Sequence, residues 1–412
     1  ESRPGPGNPP RLGVGCSPMA NPFSRLAARR QHLDRDNPLR SLTEVIGRVP
    51  GGINLGQGVC DLAAPTPLVD GAVDAIRGAE GERQVYTPYA GLPGLRQALA
   101  DKLRAFNGLD VGPENVGVAL GSSGAFFAAG LALFEPGDEV VLFEPFYSYH
   151  HTAVRLLGAV PVCTRLAGPT LELDVDALRR AVGPKTRAVV INTPANPSGK
   201  VFSAEELASV AAVLEGTDAL VITDEVYEYM VFDGRRHVSP ATIDGLAARC
   251  LSLFSLSKTY SITGWRVGCF VGPADFVETV GRVCDQVHVC APRPMQRGVE
   301  RALRELPPSF YEDLRSGYEE RRDRFCAALA DAGFRFEKPH GAYYVLADYR
   351  DVFGDLEPFA AVMKLIETAR INAVPGDLFY ADPSDVRSMR FHFAVEDAVL
   401  DDACARLRGL AD

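Results

Sequence analysis

The residues with the most pointed chemistry lie between Ser255 and Arg266, in the run Ser-Leu-Ser-Lys-Thr-Tyr-Ser-Ile-Thr-Gly-Trp-Arg. A single lysine, Lys258, stands there among small hydroxyl residues, directly after an apolar run at 251–254 that reads as a short buried strand. A lysine leaving such a strand loses hydration, and desolvation disfavours its charged form. An amine of lowered pKa is a usable nucleophile towards a carbonyl group. Ser255, Ser257 and Arg266 add hydroxyls and a guanidinium, which suit the oxygens of a phosphate. The plainer alternative is a surface turn carrying a solvated lysine.

The elements that would position this stretch are legible on either side of it. Short apolar runs at 116–120, 139–143, 161–164, 188–191, 220–223, 251–254 and 265–271 are expected as strands. Helical patterns separate most of them, for example at 177–182 and 204–214. That alternation predicts an α/β fold with a mainly parallel seven-stranded sheet covered on both faces. Ligands of such sheets bind beyond the carboxyl ends of the strands, which is where the polar motifs fall. Upstream, a helix is expected at 42–48, and another from Pro93 to about residue 106 with Leu95, Leu99 and Leu103 on one face. Beyond Pro294 the pattern changes to longer helices, near 295–305 and 310–332, with Ser309 and Glu312 spaced as a capping box for the second. A small α+β unit follows, with strands near 343–347, 371–374 and 388–394 and helices near 357–370 and 396–408.

Four further motifs sit at predicted strand ends. Gly121-Ser122-Ser123-Gly124 opens a helix expected over 126–134, where free N–H groups and the positive helix end favour an anion. It is neither a dinucleotide fingerprint, nor a P-loop, nor a serine-nucleophile elbow. Glu144-Pro-Phe-Tyr brings an aromatic pair, Phe146 and Tyr147, suited to a planar ring or to core packing. Asn192-Thr-Pro-Ala-Asn-Pro-Ser-Gly is a proline-stiffened turn that presents the Asn196 amide as a donor, with room for a cis X-Pro bond. Asp224, closing an apolar strand, needs a partner. So does Arg390, inside the run Met-Arg-Phe-His-Phe. A bound ligand or a structural ion pair would satisfy either one.

Taken together these segments resemble the fold type I pyridoxal-phosphate enzymes of the class I/II aminotransferase family. The pattern Ser-x-Ser-Lys-x5-Gly-Trp-Arg-x-Gly is matched in full through Gly268, and the ordered motifs extend from about Ile53 to Phe393. The resemblance implies a Schiff base between Lys258 and pyridoxal 5'-phosphate, and the same lysine as the base that moves the substrate's α-proton. It implies phosphate contacts from Ser122, Ser123, Ser255 and Arg266, and stacking of Tyr147 on the ring. Asp224 would pair with the ring nitrogen, with Asn196 and Tyr227 at the ring hydroxyl. Arg390, Asn196 and the backbone at Gly58 would hold the substrate. Tyr86, in Tyr-Thr-Pro-Tyr-Ala-Gly-Leu, would reach a partner's phosphate across a homodimer with shared active sites; an interface or core tyrosine is the alternative. The likeness is greatest to the kynurenine, methionine and aromatic aminotransferases. The loop 287–293 is expected near the substrate side chain, of this subunit or of the opposite one, with His288 and Arg293 as candidates for reading it. One departure stands out: Gly58-Val59-Cys60-Asp61 replaces the Gly-Phe-Pro-Asp common in the family, which removes an aromatic wall. Together with Ser123 it keeps open a specialised-metabolism enzyme of elimination, replacement, cyclisation or carbon–carbon bond formation on the same fold.

Bulk properties set the outer bounds. The 412 residues suit two domains, and 46% hydrophobic residues suffice for sizeable cores. A net charge of −10 argues against nucleic acid or an anionic membrane as the main partner, and no apolar run is of membrane-spanning length. Residues 1–50 carry no helix-turn-helix pattern, which argues against a DNA-binding regulator built on this fold. Nine scattered cysteines fit a reducing cytoplasm, and Cys284, His288 and Cys290 lack zinc-site spacing and are expected on a helix and the loop after it. The expected division is a disordered segment or subunit-embracing arm at 1–21, an N-terminal segment 22–65 joining the small domain, a cofactor-binding large domain 66–300, and a small domain 301–412. Residue 1 is not methionine, so a trimmed or fused chain is expected, with Met19 a candidate native start.

Overall fold

Twelve strands occur among the described residues: β1 (Ile53–Asn54), β2 (Val116–Ala119), β3 (Glu139–Glu144), β4 (Val160–Arg165), β5 (Thr186–Asn192), β6 (Leu220–Asp224), β7 (Cys250–Ser255), β8 (Gly268–Val271), β9 (Tyr344–Asp348), β10 (Ile371–Asn372), β11 (Val374–Pro375) and β12 (Ser388–His392). The computed structural model describes residues 38–60 and 62–410, so the expectations for 1–21 lie outside it. Seven strands form one sheet in the order β2-β8-β7-β6-β5-β3-β4, parallel from β7 through β4, with β8 antiparallel to both of its neighbours.

Successive side chains of a strand point to opposite faces, and here each face is covered. Val140 and Leu142 of β3 pack with Phe126, Val277 and Val280 on one side. Val141 and Phe143 pack with Leu178, Leu207 and Leu214 on the other. The helix Ala204–Leu214 begins at a true capping box: Ser203 Oγ accepts from Glu206 N, and Glu206 Oε2 accepts from Ser203 N at 2.9 Å.

A second core gathers the C-terminal part of the chain with its N-terminal segment. Strands β11, β12 and β9 form an antiparallel sheet, and β1 pairs in parallel with β10 across more than 300 residues of sequence. Leu42, Ile46 and Leu55 are buried beside Phe325, Leu365, Phe391 and Leu407. At the seam, His392 is held down at about 3 by burial and by the neighbouring Arg390 charge, so it is neutral at ordinary pH. Its Nε2 faces the Asn54 carbonyl at 3.2 Å and therefore carries the proton.

Three expectations fail for local reasons. Ser309 and Glu312 form no capping box, because Pro307 and Pro308 take the cap and first-turn positions of the helix Pro308–Asp331 and leave Ser309 inside it. The strand expected from residue 265 starts only at Gly268, since Thr263–Trp265 makes a 3-10 turn and Arg266 takes a φ of 56°. The helix from Pro93 ends at Lys102 and passes into a π turn over Leu103–Asn107. Among the described residues, no helix is long and apolar enough to cross a membrane.

Candidate active site

Because the parallel strands share one direction, their carboxyl ends open onto a single edge, and a cavity of about 490 Å³ lies there. The turn after β2 brings Ser122 and Ser123; that after β3, Tyr147; after β5, Asn196; after β6, Asp224 and Tyr227; and after β7, Ser255 and Lys258. Gly58 enters from the N-terminal segment, Arg266 from the turn before β8, and Arg390 from β12.

Lys258 sits half-buried on a single helical turn, Leu256–Thr259, whose cap is the Ser255 hydroxyl accepting from Ser257 N at 3.2 Å. Its Nζ donates to the Gly58 carbonyl at 2.8 Å, and the Tyr343 hydroxyl donates to the same oxygen at 3.1 Å. A side chain at 58 has no room: a Cβ there would stand 1.9 Å from Tyr344 Oη. Behind the lysine, the Cys60 Sγ lies 2.6 Å from Tyr318 Oη and 3.7 Å from the Lys258 carbonyl, and burial pushes its thiol up. Cys60 and the exposed Val59 stand outside the cavity lining.

Asp224 is buried with one oxygen satisfied. Its Oδ2 meets His150 Nε2 at 3.1 Å, whereas Oδ1 has no partner among the described residues. An orphaned carboxylate oxygen is costly unless a ligand donor completes it. Tyr147 stands edge-on to His150 at 5.1 Å, while Phe146 stacks on His151 in the adjoining core. The Tyr227 hydroxyl donates to that of Tyr344 at 3.1 Å. Burial raises the phenols of Tyr147 and Tyr227 far enough that both stay O–H donors.

One corner is built for an anion. The helix Gly121–Leu133 points its N-terminus into the cavity with Ser122 and Ser123 in its first turn, several residues earlier than the pattern of apolar residues suggests. Arg266 Nη2 reaches the Leu120 carbonyl at 3.4 Å, and a Cβ on Gly121 would come within 2.6 Å of that nitrogen. A guanidinium beside the positive end of a helix is electrostatically unfavourable unless an anion lies between them. Ser257 Oγ, buried and without a partner among the described residues, is a further donor nearby.

Arg390 is buried with no carboxylate against it among the described residues, so it is not part of a structural ion pair. It donates to Asn196 Oδ1 at 2.7 Å and to the Gly56 carbonyl at 2.6 Å, and its Nε is unpaired. The guanidinium lies over the ring of Tyr344, 4.4 Å from the centroid. With Oδ1 engaged, Asn196 turns its amide nitrogen to other acceptors.

The sequence model described as "Aminotransferase class I and II" matches residues 50–407. The chain belongs to this family. A probable N-succinyldiaminopimelate aminotransferase of Mycobacterium tuberculosis is 39% identical to this aminotransferase over 88% of this chain and 93% of its own. Human kynurenine–oxoglutarate transaminase 1 is 33% identical, covering 86% of this chain and 92% of its own. The solved N-succinyldiaminopimelate aminotransferase from Mycobacterium tuberculosis superposes with a TM-score of 0.88, at 37% identity, over 93% of this chain and all of that one. The family depends on pyridoxal phosphate and carries the fold type I architecture; the aminotransferase acts on an amino acid and a 2-oxo acid. These relatives are named for transamination, which the comparisons favour over elimination or bond formation.

The residues present fit that cofactor. The unpaired Asp224 Oδ1 suits the N–H of a protonated pyridine, and the Ser122, Ser123 and Arg266 corner suits its phosphate. Of the residues marked in the sequence, Tyr86 stands apart, 79% exposed and outside the cavity. His288 ends the helix Ala274–His288 away from the cavity, and Arg293 is engaged with Glu82 Oε2 at 2.7 Å, so neither reads the substrate within this protomer. Sequence reading missed His150, Tyr149 and Tyr344, and a whole helix face at Arg40 and Glu44. His150 was findable as the residue one turn beyond Tyr147; Tyr344 sits in an ordinary apolar strand and leaves no local signal. Tyr147, Tyr149, Tyr227 and Tyr344 all line the cavity, whereas Val59 does not.

Proposed function

We propose that this aminotransferase holds pyridoxal phosphate on Lys258 and exchanges an amino group between an amino acid and a 2-oxo acid in the cavity at the strand ends. The observation that carries the reading is the meeting, in one cavity, of a lysine amine, a buried aspartate with one oxygen unpartnered and a buried arginine without a counter-charge, both among the described residues. Bound, the cofactor supplies an electron-withdrawing ring that weakens bonds at the substrate's α-carbon. Asp224 Oδ1 would hold the ring nitrogen's proton in place, and the His150 contact on Oδ2 fixes the carboxylate. The Ser122 and Ser123 hydroxyls, Ser255 and Arg266 would hold the phosphate, and Tyr147 would offer its ring to the cofactor's. The Asn196 amide would donate to the ring hydroxyl, and so would the Tyr227 O–H once turned from Tyr344.

Arg390, backed by Asn196, orients the substrate by its α-carboxylate. Lys258 Nζ would take the proton from the donor's α-carbon in one half-reaction and would supply one to the α-carbon formed from the 2-oxo acid in the other. The Gly58 carbonyl, 2.8 Å from that nitrogen, steadies the amine between these steps. With an amino donor alone, the bound cofactor is expected to lose its aldehyde absorbance and yield one equivalent of 2-oxo acid, and 2-oxoglutarate to restore it. Ammonia released without any acceptor would overturn transamination in favour of elimination.

Tyr86 belongs, in this reading, to the phosphate site of a second copy. Its 79% exposure beside an exposed Val85 supports that placement. Sedimentation at micromolar concentration is expected to give the mass of a dimer; a monomer would remove the basis for it.

A further inference from the structure

Three successive carbonyls of the N-terminal segment grip β12. Asn54 O faces His392 Nε2 at 3.2 Å, Leu55 O accepts from His392 N at 2.8 Å, and Gly56 O accepts from Arg390 Nη2 at 2.6 Å. The last of these bears on the chemistry, because the Arg390 guanidinium lines the cavity. A carbonyl can aim a guanidinium only as firmly as its own peptide plane is held. The strand ladder does not hold this one, since the pairing of β1 with β10 covers Ile53 and Asn54 and stops there.

The side chain of Asn54 supplies what the ladder lacks. Its Oδ1 accepts from Gly56 N at 3.1 Å and from Gln57 N at 3.3 Å, so that the side chain bonds the backbone two and three residues on. In a trans peptide the N–H and the C=O point in opposite directions. Anchoring the Gln57 N–H therefore turns the Gly56 carbonyl, on the other side of the same peptide unit, towards Arg390. The anchoring oxygen is itself held, by Asn372 Nδ2 at 3.0 Å, and Asn54 and Asn372 are register partners of β1 and β10. A Cβ on Gly56 would stand 2.9 Å from that same nitrogen, so the turn is packed tightly against its support. We infer that Asn54 is a positioning residue: through the Gly56–Gln57 peptide it sets the orientation in which Arg390 meets the substrate's carboxylate. The inference rests on the carboxylate role proposed for Arg390 above.

The test isolates the carboxylate's share of binding. With the holoenzyme, pentanoate and 3-phenylpropanoate are expected to bind at least about tenfold more tightly than their neutral amides, the scale of a charge-assisted contact. Asn54→Ala is expected to cut that preference about fivefold, as the loss of one net hydrogen bond would, and to leave amide binding within about twofold of the parent's. Asn54→Asp keeps an accepting oxygen at the same reach and is expected to retain most of the preference. Asn54→Gln carries its oxygen one carbon too far and is expected to match alanine, which keeps the test open should alanine not give folded protein. In an Arg390→Gln background, Asn54→Ala is expected to change the binding of neither ligand, because residues that act as one unit are not additive. A merely structural role would weaken acid and amide together and would persist in that background. Borohydride treatment and mass measurement check that each variant still carries the cofactor on Lys258. A preference within about twofold of the parent's in both Asn54→Ala and Asn54→Gln, or equal losses for acid and amide, would overturn the inference. If the parent shows no preference for the acids, or one that Arg390→Gln leaves in place, it is the role proposed for Arg390 that fails, and the inference falls with it.

Discussion

Alanine at position 258 is expected to give a folded protein whose transamination is at least about ten-thousand-fold slower, because one nitrogen performs two tasks. In the proposed reaction Lys258 Nζ would be both the attachment point of the cofactor and the base that moves the α-proton. Positioned proton transfer alone contributes up to about ten-thousand-fold, and among the described residues no second amine lines the cavity to take over. Folding should survive, since the side chain is half-buried and its one hydrogen bond goes to the Gly58 carbonyl, which Tyr343 also serves. Borohydride treatment followed by mass spectrometry distinguishes the cause: the parent protein gains the mass of the cofactor at residue 258, and the variant gains none. Turnover within about tenfold of the parent would show that another group carries the proton.

Asp224→Asn is expected to slow removal of the α-proton by about a hundred- to a thousand-fold while leaving the cofactor attached to Lys258, the scale seen when one preorganised electrostatic contact is lost. The change is nearly isosteric, so the His150 contact at 3.1 Å and the fit between β5 and β7 are kept. What is lost is the negative charge at Oδ1, the oxygen left without a partner among the described residues. A neutral amide cannot hold a proton on the ring nitrogen as a carboxylate does, so the ring withdraws electrons less strongly. Deuterium at the substrate's α-carbon should then slow the variant more than the parent, since proton removal has become the slow step. An unaltered rate would assign Asp224 to the structural pair with His150 alone.

Much of this site was readable because the determinants are local. An apolar run ending in Asp224, or in Ser255 and Lys258, states its own strand end, and parallel strands must bring such ends to one edge. The cofactor lysine, the aspartate and the turn at Asn196 therefore emerge from segments of a dozen residues or fewer. Errors of extent were local too. Pro307 and Pro308 displaced the capping box expected at Ser309, and the positive φ of Arg266 cut the strand expected from residue 265 to its last four residues.

Residue order alone determined the fold class, the place of Lys258 just past the end of β7 and the ring of polar motifs, since hydrophobic period and turn chemistry act over a few neighbours. Only the folded chain decided which groups answer one another across it: Lys258 with Gly58 at a separation of 200 residues, Arg390 with Asn196 at 194, Asp224 with His150, and the Arg40 face turned towards them all. Those contacts depend on how the N-terminal segment and β12 pack against the edge of the large sheet. Packing of that kind is a property of surfaces brought together in space, and no run of adjacent residues encodes it.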